Sequence, residues 1–166
     1  MSTVESPLKL AGSLGPRDGW TAERCSLAKA LDVVGTRTAF LILREAFYGT
    51  MRFDDFAARV DISEPVAAAR LRELVDQGLL EREDYREPGQ RTRQRYRLTT
   101  KGAELFPALV ALMQWGDRWL DARGGPVALR HRDCGERVGV ELRCAAGHHV
   151  GAGDLELRTN RARASA

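Results

Sequence analysis

The side chains with the most chemistry to offer in this chain are arginines, gathered between residues 63 and 95. Arg70 and Arg72 lie two apart in a stretch of helical spacing. Arg86, Arg91, Arg93 and Arg95 lie in and beside a short segment broken by Pro88-Gly89. A guanidinium is a planar fork of donors that fits a phosphate, or the O6/N7 edge of guanine, with two parallel hydrogen bonds. Arg70 and Arg72 are therefore candidates to read bases or phosphates, and the other four to hold phosphates without regard to sequence. Solvation is the competing reading. Glu73 and Asp76 can pair with the two helix arginines, and Glu83, Asp84 and Glu87 dilute the loop. Ser63, Glu64, Ala67 and Ala68 open the same helical stretch. Outward alanines would permit close approach and contact with thymine methyls. Glu64 would either repel phosphate or accept a hydrogen bond from cytosine N4.

Thiols and imidazoles form a second set. Cys25 stands at the start of a helix, where backbone N–H groups favour a thiolate; the plain alternative is a small cap residue. His131-x-x-Cys134 and Cys144-x-x-x-His148 (or His149) have spacings compatible with zinc, and a tail without metal is the alternative. Three cysteines are an odd count, which argues against a disulfide scaffold. The sequence holds no phosphate loop, nucleophile elbow or metalloprotease motif, so neither an enzyme nor a cofactor beyond that zinc is expected.

The elements that must position these groups follow from spacing and punctuation. Helical spacing starts near Cys25, places Ala28, Leu31 and Val34 on one face, and stops at Gly35. A second helix from Thr36 or Arg37 is apolar on all sides and should be the buried centre. A short third helix spans 53 to 60, with Phe53, Phe56, Ala57 and Val60 inward. Asp61-Ile62 is a turn. Ser63 is the N-cap of a fourth helix, with Pro65 in its first turn and Gly78 at the C′ position. On that helix Val66, Leu71, Leu74 and Val75 are expected inside, and Ala67, Ala68, Arg70 and Arg72 outside. Residues 80–85 and 94–98 read as two strands of a hairpin. Thr99 caps a last helix running to about residue 122, kinked at Pro107.

That last helix has two apolar stripes, one through Leu105, Leu109, Leu112 and Trp119, the other through Phe106, Val110, Met113 and Leu120. One domain cannot easily bury both, so a second copy of the chain is expected against Leu27, Leu31, Leu105, Leu109, Leu112, Trp115 and Trp119. The resulting fold class is α+β, mainly α: a winged helix-turn-helix, a long C-terminal dimerisation helix and a short tail with β-like runs at 127–129 and 138–142. The expected domains are a flexible tail (1–20), the DNA-binding and dimerisation domain (21–122) and a C-terminal tail (123–166). A net charge of +3 and a pI near 9.0 fit an anionic partner mildly. The absence of a long apolar run argues against a membrane span, and the polar first twenty residues against a secretory signal, so a cytoplasmic protein is expected.

Cys25-x-x-Ala28-x-Ala30-Leu31-Asp32-Val33-Val34-Gly35-x-Arg37 and Leu41-Ile42-Leu43-Arg44-Glu45 resemble the opening of HxlR-type bacterial transcriptional regulators. Arg52-Phe53-x-x-Phe56, Arg70-Leu71-x-x-Leu74-x-x-x-Gly78-Leu79, Tyr96-x-Leu98-Thr99-x-Lys101-Gly102 and Trp115-Gly116 continue the resemblance over roughly residues 25–122. It implies a homodimer that binds a double-stranded operator, most simply as a repressor. A redox role for Cys25, or an inducer of unknown identity, would supply the signal. The alternative is a winged helix that has lost specific DNA binding and serves as a protein-interaction module.

Overall fold

The computed structural model describes residues 8–11, 21–86 and 93–158, divided between a unit of residues 23–139 and a unit of residues 1–22 with 140–166. In the first unit, α1 (Ser26–Val34), α2 (Arg37–Phe47), α3 (Phe53–Val60) and α4 (Glu64–Asp76) precede an antiparallel hairpin, β2 (Leu80–Tyr85) and β3 (Arg93–Leu98); α5 (Thr100–Ala103) and α6 (Phe106–Trp119) follow. Helix α2 is the centre, as its sequence demands. Ala39, Ile42 and Leu43 are buried, in one cluster with Val34, Phe56, Val60, Leu71, Leu74, Leu79, Leu80 and Leu109. Aromatic contacts tie the layers: Phe47 meets Phe106 with ring centroids 4.8 Å apart, and Phe56 meets Tyr96 edge-on at 6.1 Å.

Punctuation acts as the sequence implies at most boundaries. Thr36 caps α2 by accepting the Ala39 N–H at 3.2 Å. Asp61 ends α3 in the left-handed region (φ 56°), which turns the chain sharply into α4. Gly78, with φ 68°, stops α4 as a C′ glycine does.

Several expectations need correction. The last helix is not one kinked rod. Pro107 sits in the first turn of α6, where its missing N–H costs nothing, and the chain breaks between α5 and α6 at Glu104-Leu105. Leu109, expected at an interface between copies, is buried in the core of its own chain, and Leu105 packs partly against that core. Residues 127–129 and 138–142 form no regular strands; the segment is held by isolated bridges, Arg130 to Arg137 and Arg143 to His149.

In the second unit, β1 (Lys9–Leu10) pairs in parallel with β4 (Glu156–Leu157), Lys9 opposite Glu156. Residues 9–10 are thus a strand rather than part of a flexible tail. Their partner lies so far along the chain that no local pattern announces it. Among the described residues no helix is long and apolar enough to cross a membrane.

Candidate nucleic-acid interface

Helix α4 is the element with chemistry to present, and its register decides which residues present it. Ala67, Leu71 and Leu74 form the buried stripe, spaced four and three residues apart. The opposite face carries Pro65, Val66, Ala69, Arg72, Glu73 and Asp76, all exposed. Ala67 is 0% exposed and Val66 47% exposed, which reverses the expected roles of these two neighbours. Ala67 cannot touch a ligand, and Ala68 is only half-buried. The small residue available for close approach is instead Ala69, which the sequence reading missed. Ser63 occupies the N-cap position but its hydroxyl makes no capping bond, so it and Glu64 stand exposed at the helix N-terminus.

The two arginines of this helix differ. Arg70 is half-buried and ion-paired with Glu73, and its Nε is enclosed without a hydrogen-bond partner. Arg72 is exposed, and no ion pair holds it among the described residues. Arg72 is therefore the helix guanidinium able to reach an external acceptor without first breaking a bond.

The hairpin forms a wing beside this helix. The strand pairing places Glu83 opposite Arg95 and Tyr85 opposite Arg93. The loop before α3 adds a third edge: Tyr96 N–H donates to Met51 C=O at 2.8 Å, and Arg52 bridges to Arg95. Arg95 is spoken for. Its Nε donates to Glu83 Oε2 at 2.9 Å, and its guanidinium lies 5.7 Å from the Tyr85 ring centre, with Arg52 at 5.8 Å from the same ring. Arg97 reaches Glu83 at 3.6 Å. The Arg95 hydrogen bond, with its charge and that of Arg97, holds the Glu83 carboxyl below the usual glutamate pKa, although some desolvation opposes this. Glu83 answers Arg95 in the same way and raises its pKa. Arg86, just after β2, and Arg93, the first residue of β3, are exposed, and no ion pair among the described residues holds Arg93. Arg91, also a candidate, lies outside the described residues.

Two polar networks that the sequence did not announce hold this surface in place. Glu45, 6% exposed, accepts from Arg44 Nη2 at 2.8 Å and from Thr50 Oγ1 at 3.1 Å; Thr50 in turn accepts from Arg59 Nη1 at 3.0 Å. This buried carboxylate joins the end of α2 to α3. The signal was present in principle, since Glu45 falls three residues after the buried Ile42 on the inward stripe. The second network explains Thr99-Thr-Lys-Gly102. Thr99 Oγ1 accepts the Gly102 N–H at 3.1 Å and donates to Gly78 C=O at 2.7 Å, and Lys101 Nζ donates to Gln77 C=O at 2.6 Å. These bonds satisfy carbonyls at the C-terminal end of α4. A Cβ on Gly102 would stand 2.1 Å from Leu79 C=O, so only glycine fits.

The remaining candidates lie elsewhere. Cys25 is an exposed free thiol at the N-cap of α1. His131 Nδ1 lies 3.2 Å from Cys134 Sγ, and Cys144 Sγ lies 3.6 Å from His148 Nδ1. Each pair on its own supplies half of a tetrahedral donor set. Among the described residues no group of three or more His, Cys, Asp and Glu is arranged to hold a metal. Of the residues expected between copies, Leu27, Leu31, Leu112, Trp115 and Trp119 are half-exposed or more, and Leu120 joins them.

Known proteins resemble this chain. The sequence model of the HxlR-like helix-turn-helix matches residues 33–124. An uncharacterized HTH-type transcriptional regulator of Mycobacterium tuberculosis is 46% identical over 120 residues, which cover 72% of this chain and 75% of that one. The crystal structure of PA1607, a candidate transcription factor, superposes with a TM-score of 0.73 at 37% identity, covering 84% of this chain and 96% of that one. A second, PA1374 from Pseudomonas aeruginosa, gives 0.60 at 33%, covering 84% and 95%. The redox regulator HypR in its oxidized form gives 0.51 at 28%, covering 55% and 94%. With the family model matched over residues 33–124, more than half of its length, the chain belongs to the HxlR-like helix-turn-helix family.

Proposed function

We propose that this DNA-binding transcriptional regulator is a homodimeric repressor acting in the cytoplasm, with α4 in the major groove and the wing against phosphates. One observation supports the assignment most: the solvent face of α4 carries an unpaired Arg72 among small side chains, Val66 and Ala69, beside a wing edge bearing Arg93. Small neighbours let a helix approach base edges closely, and an arginine can then grip guanine. Arg72 is assigned the base contact. Arg86, Arg91 and Arg93 are assigned phosphates. Ser63, Glu64 and Ala68 flank the contact, and Arg70 and Arg95 hold acidic neighbours.

The partner is a second copy. Leu27 and Leu31 of α1 and Leu112, Trp115 and Trp119 of α6 are too large and apolar to remain in water together. A two-fold dimer sets its recognition helices about 34–36 Å apart, one turn of DNA. Bound at a promoter, it blocks transcription. Cys25, exposed and free as a sensor thiol must be, is a candidate switch by analogy with the redox regulator HypR.

The experiment is a titration of the duplex upstream of the chain's own gene, and of a random duplex, at several salt concentrations. The expected result is tight binding to the first, weaker binding to the second, and loss of both with salt. Salt-independent failure to bind either duplex would refute the proposal and favour a protein-interaction module.

A further inference from the structure

Helix α6 has a third face, which borders the core and takes no part in the proposed contact between copies. Leu109 and Val110 are buried, and Leu112, Trp115 and Trp119 point to solvent on one side. Gln114, Asp117 and Arg118 lie on the other, where the segment 123–139 folds back along the helix. Two features strap that segment down. Gln114 Nε2 donates to Val138 C=O at 2.7 Å. Gly125 packs so tightly on Asp117 that a Cβ there would overlap its carboxylate, 1.8 Å from Oδ1. Between the straps lies an open cavity of about 530 Å³.

The lining of this cavity has a definite chemistry. Val110 and Met113 form its floor, and Val127 and Val138 form a wall that stays 52% and 42% exposed. Arg118, Arg123 and Arg137 stand around it with Asp117 as the one acid. Among the described residues no ion pair neutralises any of these arginines; Arg118 is steadied over the Trp119 ring, 5.3 Å from its centre. Apolar surface left wet beside unneutralised guanidinium groups is matched by a molecule with an apolar body and an anionic head. The volume falls within the range of small-molecule pockets, roughly 300–1,000 Å³. The likeness to PA1607 and PA1374 covers more of the chain than residues 1–124 could supply, so it runs on past residue 124.

We propose that the cavity between α6 and residues 123–139 binds a small amphipathic organic anion, of the class of aromatic carboxylates, with its ring on Val127 and Val138 and its carboxylate on Arg123 and Arg137. The proposal stands on the cavity alone and does not depend on how the protein meets DNA.

The test uses 2-naphthoate as probe and the neutral 2-naphthamide as its control, each titrated calorimetrically into the full chain. One naphthoate should bind per chain, and the amide about ten-fold more weakly or worse, the scale of one lost charge-assisted contact. The Arg123→Ala/Arg137→Ala variant, altered only at exposed positions, should lose naphthoate affinity by a similar factor, whereas Leu112→Glu on the other face should not. NMR shifts on naphthoate addition should centre on residues 123–139. Equal binding of acid and amide, indifference to the arginine pair, shifts centred on Leu112 and Trp115, or no binding at millimolar naphthoate would each overturn the proposal.

Discussion

Arg70 and Arg72 look equivalent in the sequence, and their environments predict opposite consequences of removal. Arg72 is exposed and holds no acid among the described residues, so Arg72→Ala breaks no bond of the folded chain and should leave stability within about 0.5 kcal/mol of the parent. If its guanidinium is bidentate to a guanine, its loss costs about 1–3 kcal/mol of specific binding, roughly five- to 150-fold in Kd. Arg70 is held by Glu73, which is 57% exposed, and such a pair is worth about 0–1 kcal/mol to folding. Arg70→Ala should therefore trim stability slightly. It also frees an acid on the outward face of α4, so binding to specific and random duplexes should weaken together, less than with Arg72→Ala. Fluorescence anisotropy on the upstream duplex and on a scrambled one, with urea unfolding of each variant, separates the cases. Equal losses for the two variants, or unchanged specificity in Arg72→Ala, would refute the reasoning from register and pairing.

Arg93→Ala should weaken binding to all DNA alike and lower the salt slope by about one, read from the logarithm of affinity against that of salt concentration; an unchanged slope removes the wing from the phosphates. Leu112→Glu with Trp119→Glu should give a folded monomer in light scattering, because both residues are exposed on one chain, whereas Leu109→Glu should unfold it; a monomeric parent at micromolar concentration contradicts the dimer. Gly102→Ala forces a Cβ against Leu79 C=O and should cost about 1–3 kcal/mol or more in urea unfolding, with an unchanged midpoint excluding the clamp. Because Arg95 and Arg97 depress the Glu83 pKa, their pairing is complete above the ordinary glutamate value and lost as pH falls through the lower folded value. In a carboxyl NMR titration Glu83 should have its midpoint below 4.5, and Arg95→Ala should raise it.

The parts legible in the sequence were those written in local pattern. Thr36, Asp61 and Gly78 mark real boundaries, and the strands read at 80–85 and 94–98 give the wing, with β3 starting one residue earlier at Arg93. What stayed hidden has physical causes. Three consecutive alanines after Val66 offer no hydropathy contrast, so a shift of one residue along α4 went undetected and Ala67 exchanged places with Val66. Leu109 and Leu112 are alike in type and differ only in which side of α6 meets α2, which tertiary packing decides. Proline is tolerated both as a kink and as a helix start, and only the break at Glu104-Leu105 resolves which applies. Glu45 was read as part of a motif rather than as a buried hub, since a carboxylate can be buried only where partners from other elements reach it. Arg95 and Arg72 could not be told apart as paired and unpaired without the strand register.

Base reading by the outward face of α4 requires that helix to lie in the major groove. Dimethyl sulfate methylates guanine N7 from that groove, so protection mapping on the upstream duplex tests base reading directly. Protected guanines are expected in two windows about one helical turn apart, with one guanine in each window regaining reactivity in Arg72→Ala. Bound protein that leaves every guanine N7 reactive, or a protection pattern identical in parent and Arg72→Ala, would contradict base reading by α4.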